Sequence, residues 1–254
     1  MYRLGKFLFD KIPILRPILV KGQMLYAPKF WGMSTLYEPP NISKTDETFN
    51  QAFLDLKQFD RTNPHSYDEK TIAGSLWRFW YVSFAARFAL LTGNRNLIEC
   101  GVGMGYTAWF ALNETKENFT MHLYDAWNAL RKSNQTESEK VGVTYKELDL
   151  DTTKKNLKRF EKNTVYHKGY IPESLNDTAP DKISYLHIDL NSSKATKDVL
   201  NFFLPRLVNN GIILFDEYGY KEYYETRFVV DQVLDVKKGN LLKLPTGQAI
   251  FFRK

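Results

Sequence analysis

The sequence predicts an α/β fold: a doubly wound, largely parallel sheet that ends in an antiparallel hairpin strand. Three observations predict it. A glycine-rich turn joins an apolar strand to a helix within residues 96–109, NLIECGVGMGYTAW. Strand and helix signals then alternate, the rhythm of parallel strands joined by crossover helices. Near the end, the apolar runs 241–244 and 248–252 flank Pro245-Thr-Gly247, which reads as a hairpin turn.

The bounds come from composition. A chain of 254 residues with 43% apolar and 15% aromatic content suits one globular enzyme domain with an N-terminal extension. The division expected is an N-terminal arm or lid over residues 1–65, serving packing and the acceptor site, and a cofactor-binding domain over 66–254. Net charge is +6, but the basic residues are scattered, and Lys154, Lys155, Lys158 and Arg159 share one solvated helix face. Nucleic acid is therefore not the expected partner. The single Cys100 rules out an internal disulfide framework and reads as a packed core thiol.

No apolar run reaches the roughly 20 residues that a membrane span needs. The N-terminal segment is interrupted by Asp10, Lys11, Pro13, Arg16 and Pro17, and fits neither a signal nor a transit peptide. It reads as an arm covering the core. The alternative is peripheral membrane contact through residues 1–25, where Lys6, Lys11, Arg16 and Lys21 accompany the apolar side chains. Cytoplasm is the default compartment, and a homo-oligomer is compatible with the composition.

The elements follow in order. Residues 1–65 are irregular in pattern. Ser66-Tyr-Asp-Glu69 has the form of a capping box, and Ile72, Leu76, Phe79, Trp80, Ser83, Phe84 and Arg87 step along the helix it opens. Gly93 stands where a left-handed residue ends that helix. Leu97 and Ile98 belong to the first strand, and Tyr106 opens the next helix. A second strand, 120–124, ends in Asp125. The polar stretch 133–140 reads as a surface insertion and 152–163 as helical. Further strands are expected over 164–168, 185–189 and 212–215, with helices around 195–207 and 223–236.

Chemistry gathers at the strand ends. Gly101, Gly103 and Gly105 let the backbone turn sharply and let a ligand approach without meeting a Cβ. Asp125 follows Gly105 by twenty residues, and its carboxylate can take both ribose hydroxyls of a nucleoside. The dinucleotide fingerprint would need glycine at 106, where Tyr106 stands. Asp189, Asp216 and Glu217 end the fourth and fifth strands, neighbours about 4.8 Å apart in such a sheet. Three carboxylates that close are costly unless a cation or protons neutralise them. Hard oxygen donors suit Mg²⁺ or a similar divalent ion. The alternative has Asp189 capping the following helix, Asp216 bound to the cofactor or a backbone amide, and Glu217 in solvent.

With Glu99 before the glycines, E-x-G-x-G-x-G is similar to the first motif of class I S-adenosylmethionine (SAM) methyltransferases. From about Thr62 onward the chain resembles the macrocin O-methyltransferase family. The segments that carry this are LIECGVGMG, LYDAWNAL, VYHKGYIPESL, the long run LHIDLNSSKATKDVLNFFLPRLVNNGIILFDEYGY, and TGQAIFFRK. The resemblance implies a Rossmann-like fold, SAM as methyl donor, and a divalent ion such as Mg²⁺. It implies methylation of a hydroxyl, commonly on a sugar or glycosylated small molecule. Asp189, Asp216 and Glu217 would then hold the metal. Glu99, Gly101, Val102, Gly103, Gly105, Tyr106, Asp125, Ala126 and Trp127 would contact SAM, Trp127 on the adenosine side. Two positions depart from the family's pattern: Asn191 replaces an acid after the fourth strand, and Glu217 the second residue of an Asp-Asp pair.

In-line transfer needs the acceptor oxygen about 3 Å from the methyl carbon. A metal would lower the hydroxyl pKa and fix its direction. His65, in NPHSY, is the candidate base, a surface or capping histidine being the alternative. His187 reads as a packed core residue. Tyr218 and Tyr220 fit either an acceptor-pocket wall or a structural role. Two other readings remain: an O-methyltransferase for a catechol-like acceptor, and a non-catalytic SAM-binding scaffold.

Overall fold

The computed structural model describes residues 46–115, 118–141, 145–234 and 238–254. Most of the expected N-terminal arm, with its proposed membrane contact through residues 1–25, lies outside the described residues. Residues 46–65, expected to belong to that arm, are instead part of the compact unit Asp46–Lys254. They carry helix α1 (Glu47–Asp55), capped by Asp46, and Phe49, Ala52, Leu56 and Phe59 are buried.

Seven strands form one sheet in the order β3-β2-β1-β4-β5-β7-β6. They are β1 (Asn96–Cys100), β2 (Thr120–Asp125), β3 (Thr164–Lys168), β4 (Ile183–Ile188), β5 (Leu207–Phe215), β6 (Gly239–Lys243) and β7 (Ala249–Arg253). The first five run parallel, whereas β7 is antiparallel to both β5 and β6. This is the Rossmann-like sheet of class I methyltransferases, with the terminal hairpin where it was expected. Every residue of β4 is buried, as a strand covered on both faces requires.

Helices cover those faces. Helix α2 (Glu69–Gly74) precedes α3 (Leu76–Ala89), which packs on α4 (Tyr106–Thr115). Helix α5 (Leu150–Asn156) precedes β3, and α6 (Ser193–Phe203) packs on α7 (Tyr224–Val233). The Phe49, Phe79 and Phe110 rings stack where α1, α3 and α4 meet, at centroid separations of 5.1 and 4.7 Å. The expected capping box is not formed. Asp68, not Ser66, accepts the Thr71 N–H at the start of α2, while the Ser66 hydroxyl donates to the Asp60 carbonyl. Gly93, at φ 74°, does end the turn that extends α3.

Register fixes the site. Cys100 lies opposite Tyr124 and Ile188, and Ile188 lies opposite Phe215. Gly101, Asp125, Asp189 and Asp216 are each the next residue along, so they occupy one row at the carboxyl edge of the sheet. Backbone hydrogen bonds from Gly101 to Tyr124 (2.8 Å), Asp189 to Cys100 (2.9 Å) and Asp216 to Ile188 (3.0 Å) lock that row. Among the described residues, no helix is long and apolar enough to cross a membrane.

Candidate active site

The glycine turn is built by its neighbours. Gly101, Gly103 and Gly105 have φ of 89°, 53° and 87°. A Cβ on Gly101 would stand 1.7 Å from the Asp189 carbonyl oxygen, so glycine is what lets β1 approach β4 here. A Cβ on Gly103 would meet nothing within 4 Å. Open space above a left-handed glycine is a cradle for a ligand.

Asp125 holds the turn in shape. Its Oδ2 accepts the Val102 and Gly103 N–H groups at 2.7 and 2.9 Å, and its Oδ1 accepts that of Trp127 at 2.6 Å. A carboxylate has about four acceptor positions, so one remains for a ribose hydroxyl rather than the two expected. Burial raises the Asp125 pKa, and the three amides work against that.

A cavity of about 1080 Å³, including its open mouth, lies over this edge of the sheet. Gly101, Val102, Gly103, Tyr106, Asp125 and Ala126 line it together with Asp189 and Asn191.

The acids meet as expected, around an unexpected cation. Arg78 of α3 reaches into the cluster, and its Nε and Nη2 donate to the two Asp216 oxygens at 2.8 and 2.7 Å. Nη2 also donates to Asp189 Oδ2 at 2.8 Å, and Nη1 to the Tyr67 hydroxyl at 3.3 Å. Gln248 donates to Asp216 Oδ1 at 3.0 Å. Burial opposes the Arg78 charge, yet Asp216 and Asp189 outweigh it and hold the guanidinium protonated. Burial likewise opposes the Asp216 charge, but Arg78 keeps that carboxyl below its usual range. Asp189 goes the other way, raised by burial and then by Asp216. Glu217 is raised well above the carboxylate range by burial and by Asp189 and Asp216. Its Oε1 accepts both the backbone N–H and the side-chain amide of Asn191, at 2.6 and 2.7 Å.

Residues 98–218 match a family described as "Methyltransferase domain". Among solved structures, the O-methyltransferase NovP superposes with a TM-score of 0.65 at 13% identity, covering 84% of this chain and 99% of its own. Apo CalS11, a TDP-rhamnose 3'-O-methyltransferase in calicheamicin biosynthesis, gives 0.51 at 16% identity over 85% and 96%. An O-methyltransferase from Bacillus cereus in complex with SAH gives 0.53 at 10% identity over 84% and 95%. No curated protein matches the chain in sequence. At these identities the structural likeness is one of fold.

Residues 98–218 are thus a match to a methyltransferase domain, set in a chain with the class I methyltransferase fold.

The residues of this site fit SAM. The Gly103 cradle, the free position on Asp125 and the cavity above them suit a nucleoside with an aminoacyl tail. Glu99 is fully buried beneath the turn, bonded through Oε1 to the Thr107 hydroxyl and, at 3.3 Å, to His187 Nδ1. Its Oε2 has no partner among the described residues. His187 is the packed core residue expected. Trp127 does not line the cavity; it is buried, and its Nε1 donates to Thr153 Oγ1 at 2.9 Å and to the Gly103 carbonyl at 3.3 Å. Through these bonds it braces the turn, from a left-handed backbone with φ of 43°. Gly105 also faces the fold, where a Cβ would stand 3.1 Å from Leu157.

The same residues do not fit a divalent ion as they stand. Arg78 lies between the two aspartates, Glu217 is committed to Asn191, and of the three carboxyl groups only Asp189 lines the cavity. Among the described residues, no group of three or more His, Cys, Asp or Glu side chains is arranged to hold a metal. His65 lines the cavity, with Nε2 3.1 Å from Glu147 Oε2. Tyr218 is structural: buried, with its hydroxyl donating to Asp231 at 2.8 Å. The stretch 133–140 is not merely a surface insertion. Asn134 and Gln135 line the cavity, and fully buried Glu139 accepts the Ser193 N–H at 2.7 Å.

Sequence reasoning missed Arg78. Its signal was a lone cation inside the apolar run LWRFWYVSF, a placement that is costly unless the charge finds a partner.

Proposed function

We propose that this chain is an O-methyltransferase that moves the methyl group of SAM to a hydroxyl of a sugar or glycosylated small molecule. The observation that carries it is one cavity lined both by the glycine cradle and by Asp189. Bound SAM supplies an electrophilic methyl on a sulfonium. The chain's own part is to bring one oxygen to it and remove that oxygen's proton. Asp189 is the acid best placed to take the proton, because it keeps 21% of its side chain exposed while Asp216 keeps 5%. His65 is the second candidate on the same wall.

The cavity lining supports a polyol. Tyr67, Tyr145, Tyr170 and His65 line it beside Asn134 and Gln135, a mixture of ring faces and polar groups that suits the apolar and hydroxyl faces of a sugar. The likeness to CalS11, a TDP-rhamnose 3'-O-methyltransferase, agrees with that choice. A cytoplasmic setting and a small-molecule partner go with this reading. No step is assigned to Mg²⁺, since its donors are engaged by Arg78 and Asn191.

The test is calorimetry with SAM, followed by transfer of labelled methyl to nucleotide sugars, glycosides and catechols. Binding and transfer to a sugar hydroxyl are expected, with Asp189→Asn keeping SAM affinity and losing transfer. Transfer to catechols alone would replace the sugar assignment. SAM binding with no transfer to any acceptor would favour a scaffold, and no SAM binding would sink the whole reading.

A further inference from the structure

We infer that Arg78 is the resident cation of this site, so that its guanidinium does the positioning that a divalent ion would do and the site takes up no such ion. The inference rests on the methyltransferase reading above and goes beyond it. Its ground is what Arg78 touches.

The guanidinium is planar and offers five N–H groups in a fixed fork. One edge forms the bidentate pair with Asp216, and one of the same nitrogens turns its second hydrogen to Asp189. Asp216 Oδ1 accepts from Gln248 as well, so three of its four acceptor positions are filled. Magnesium demands six oxygens in near-ideal octahedral geometry. A divalent ion would therefore have to expel Arg78 from between its own ligands, since two cations cannot share that gap. The remaining acid, Glu217, is tied to Asn191 through a backbone amide as well as a side chain.

Arg78 is also held from behind. It is the residue before Phe79, which is fully buried on α3 against Phe110, and Tyr67 accepts from Nη1. That leaves one Nη1–H without a partner among the described residues, on a side chain that lines the cavity. This N–H is the donor available to orient an acceptor oxygen next to Asp189. Arg78 is thus a positioning residue: it sets the angle of Asp189 and keeps the two aspartates from repelling each other.

The experiment is a Mn²⁺ titration of the chelator-treated wild-type chain, read by electron paramagnetic resonance, with Mg²⁺ as competitor. No saturable uptake is expected, and EDTA should leave melting temperature and methyl transfer unchanged. Arg78→Met should gain Mn²⁺ uptake that Arg78→Lys does not. Saturable one-to-one Mn²⁺ binding by the wild type, displaced by Mg²⁺ and lost in Asp216→Asn, would overturn the inference. The wild-type titration decides even where Arg78→Met fails to fold. Calorimetry with SAM on the same sample tests the methyltransferase reading separately.

Discussion

Asn191 gives its backbone N–H and its side-chain amide to the same Glu217 oxygen, at 2.6 and 2.7 Å. It does so from a left-handed backbone, φ 50°, a conformation that asparagine tolerates better than most residues. Asn191→Asp would remove the amide donor and bury a new carboxylate, without a counter-charge, beside Glu217, whose own carboxyl is already pushed toward its neutral form. We expect a loss of about 2–4 kcal/mol, measured by denaturant unfolding. Because acid neutralises the introduced aspartate, the gap to wild type should narrow as pH falls. A gap that widens in acid would contradict this account of Glu217.

Two glycines of one turn should fail differently. Gly101→Ala drives a methyl group into the Asp189 backbone, where neither strand can yield, so loss of more than about 4 kcal/mol and poor recovery of folded protein are expected. Gly103→Ala meets only open space. Its cost to folding is about 1 kcal/mol of left-handed strain, but the new methyl occupies the cradle. Thermal melting should show a folded protein and calorimetry a greatly weakened affinity for SAM. Normal SAM affinity would move the cofactor away from Gly103.

Asp125 acts on the cofactor largely through the loop it ties. Asp125→Ala frees three backbone N–H groups at once, which predicts a stability loss of about 1–3 kcal/mol beside weaker SAM binding. A residue that only touched ribose would lose affinity without losing stability. Measuring melting and calorimetry on the same variant separates the two roles.

His122 and His167 face each other across β2 and β3, with ring nitrogens 3.0 Å apart. Burial and then His167 bring the His122 pKa down to about 4, and burial lowers that of His167. A histidine whose folded pKa is depressed adds stability that is present above its unfolded value, about 6.5. That stability is lost as pH falls through the folded value. Melting temperature should therefore drop between about pH 6.5 and 4, and His122→Gln should flatten that slope. An unchanged slope would show that this pair does not titrate with unfolding.

The carboxyl edge of the sheet was legible because the strands behind it are short apolar runs, each ending in glycine or an acid. Register then had only one way to align them, and Gly101, Asp125, Asp189 and Asp216 fell into one row. The cost of crowding carboxylates was legible as well, since it follows from Coulomb's law whatever the counter-charge. Its source was not. Helix α3 is apolar around most of its circumference, so periodicity offers no face on which to place Arg78, and only the finished fold points that side chain at β4 and β5. Glu139 failed for a similar reason. A polar stretch looks solvated until a distant helix start, here Ser193, supplies the amide that lets its carboxylate be buried. At α2, Ser66 and Asp68 are both good caps, and the choice fell to Asp68 because the Ser66 hydroxyl was taken by Asp60.

The hairpin that places β7 beside β5 also sets a timetable. Gln248 follows Arg78, Asp189 and Asp216 in the chain, and during synthesis it leaves the ribosome after them. Until it arrives, Asp216 lacks an amide donor and β5 lacks its outer neighbour. The nucleoside-binding half can therefore settle first, as N-terminal parts commonly do, while the acidic cluster is finished last. A nascent chain would hold the donor's seat before it could use it.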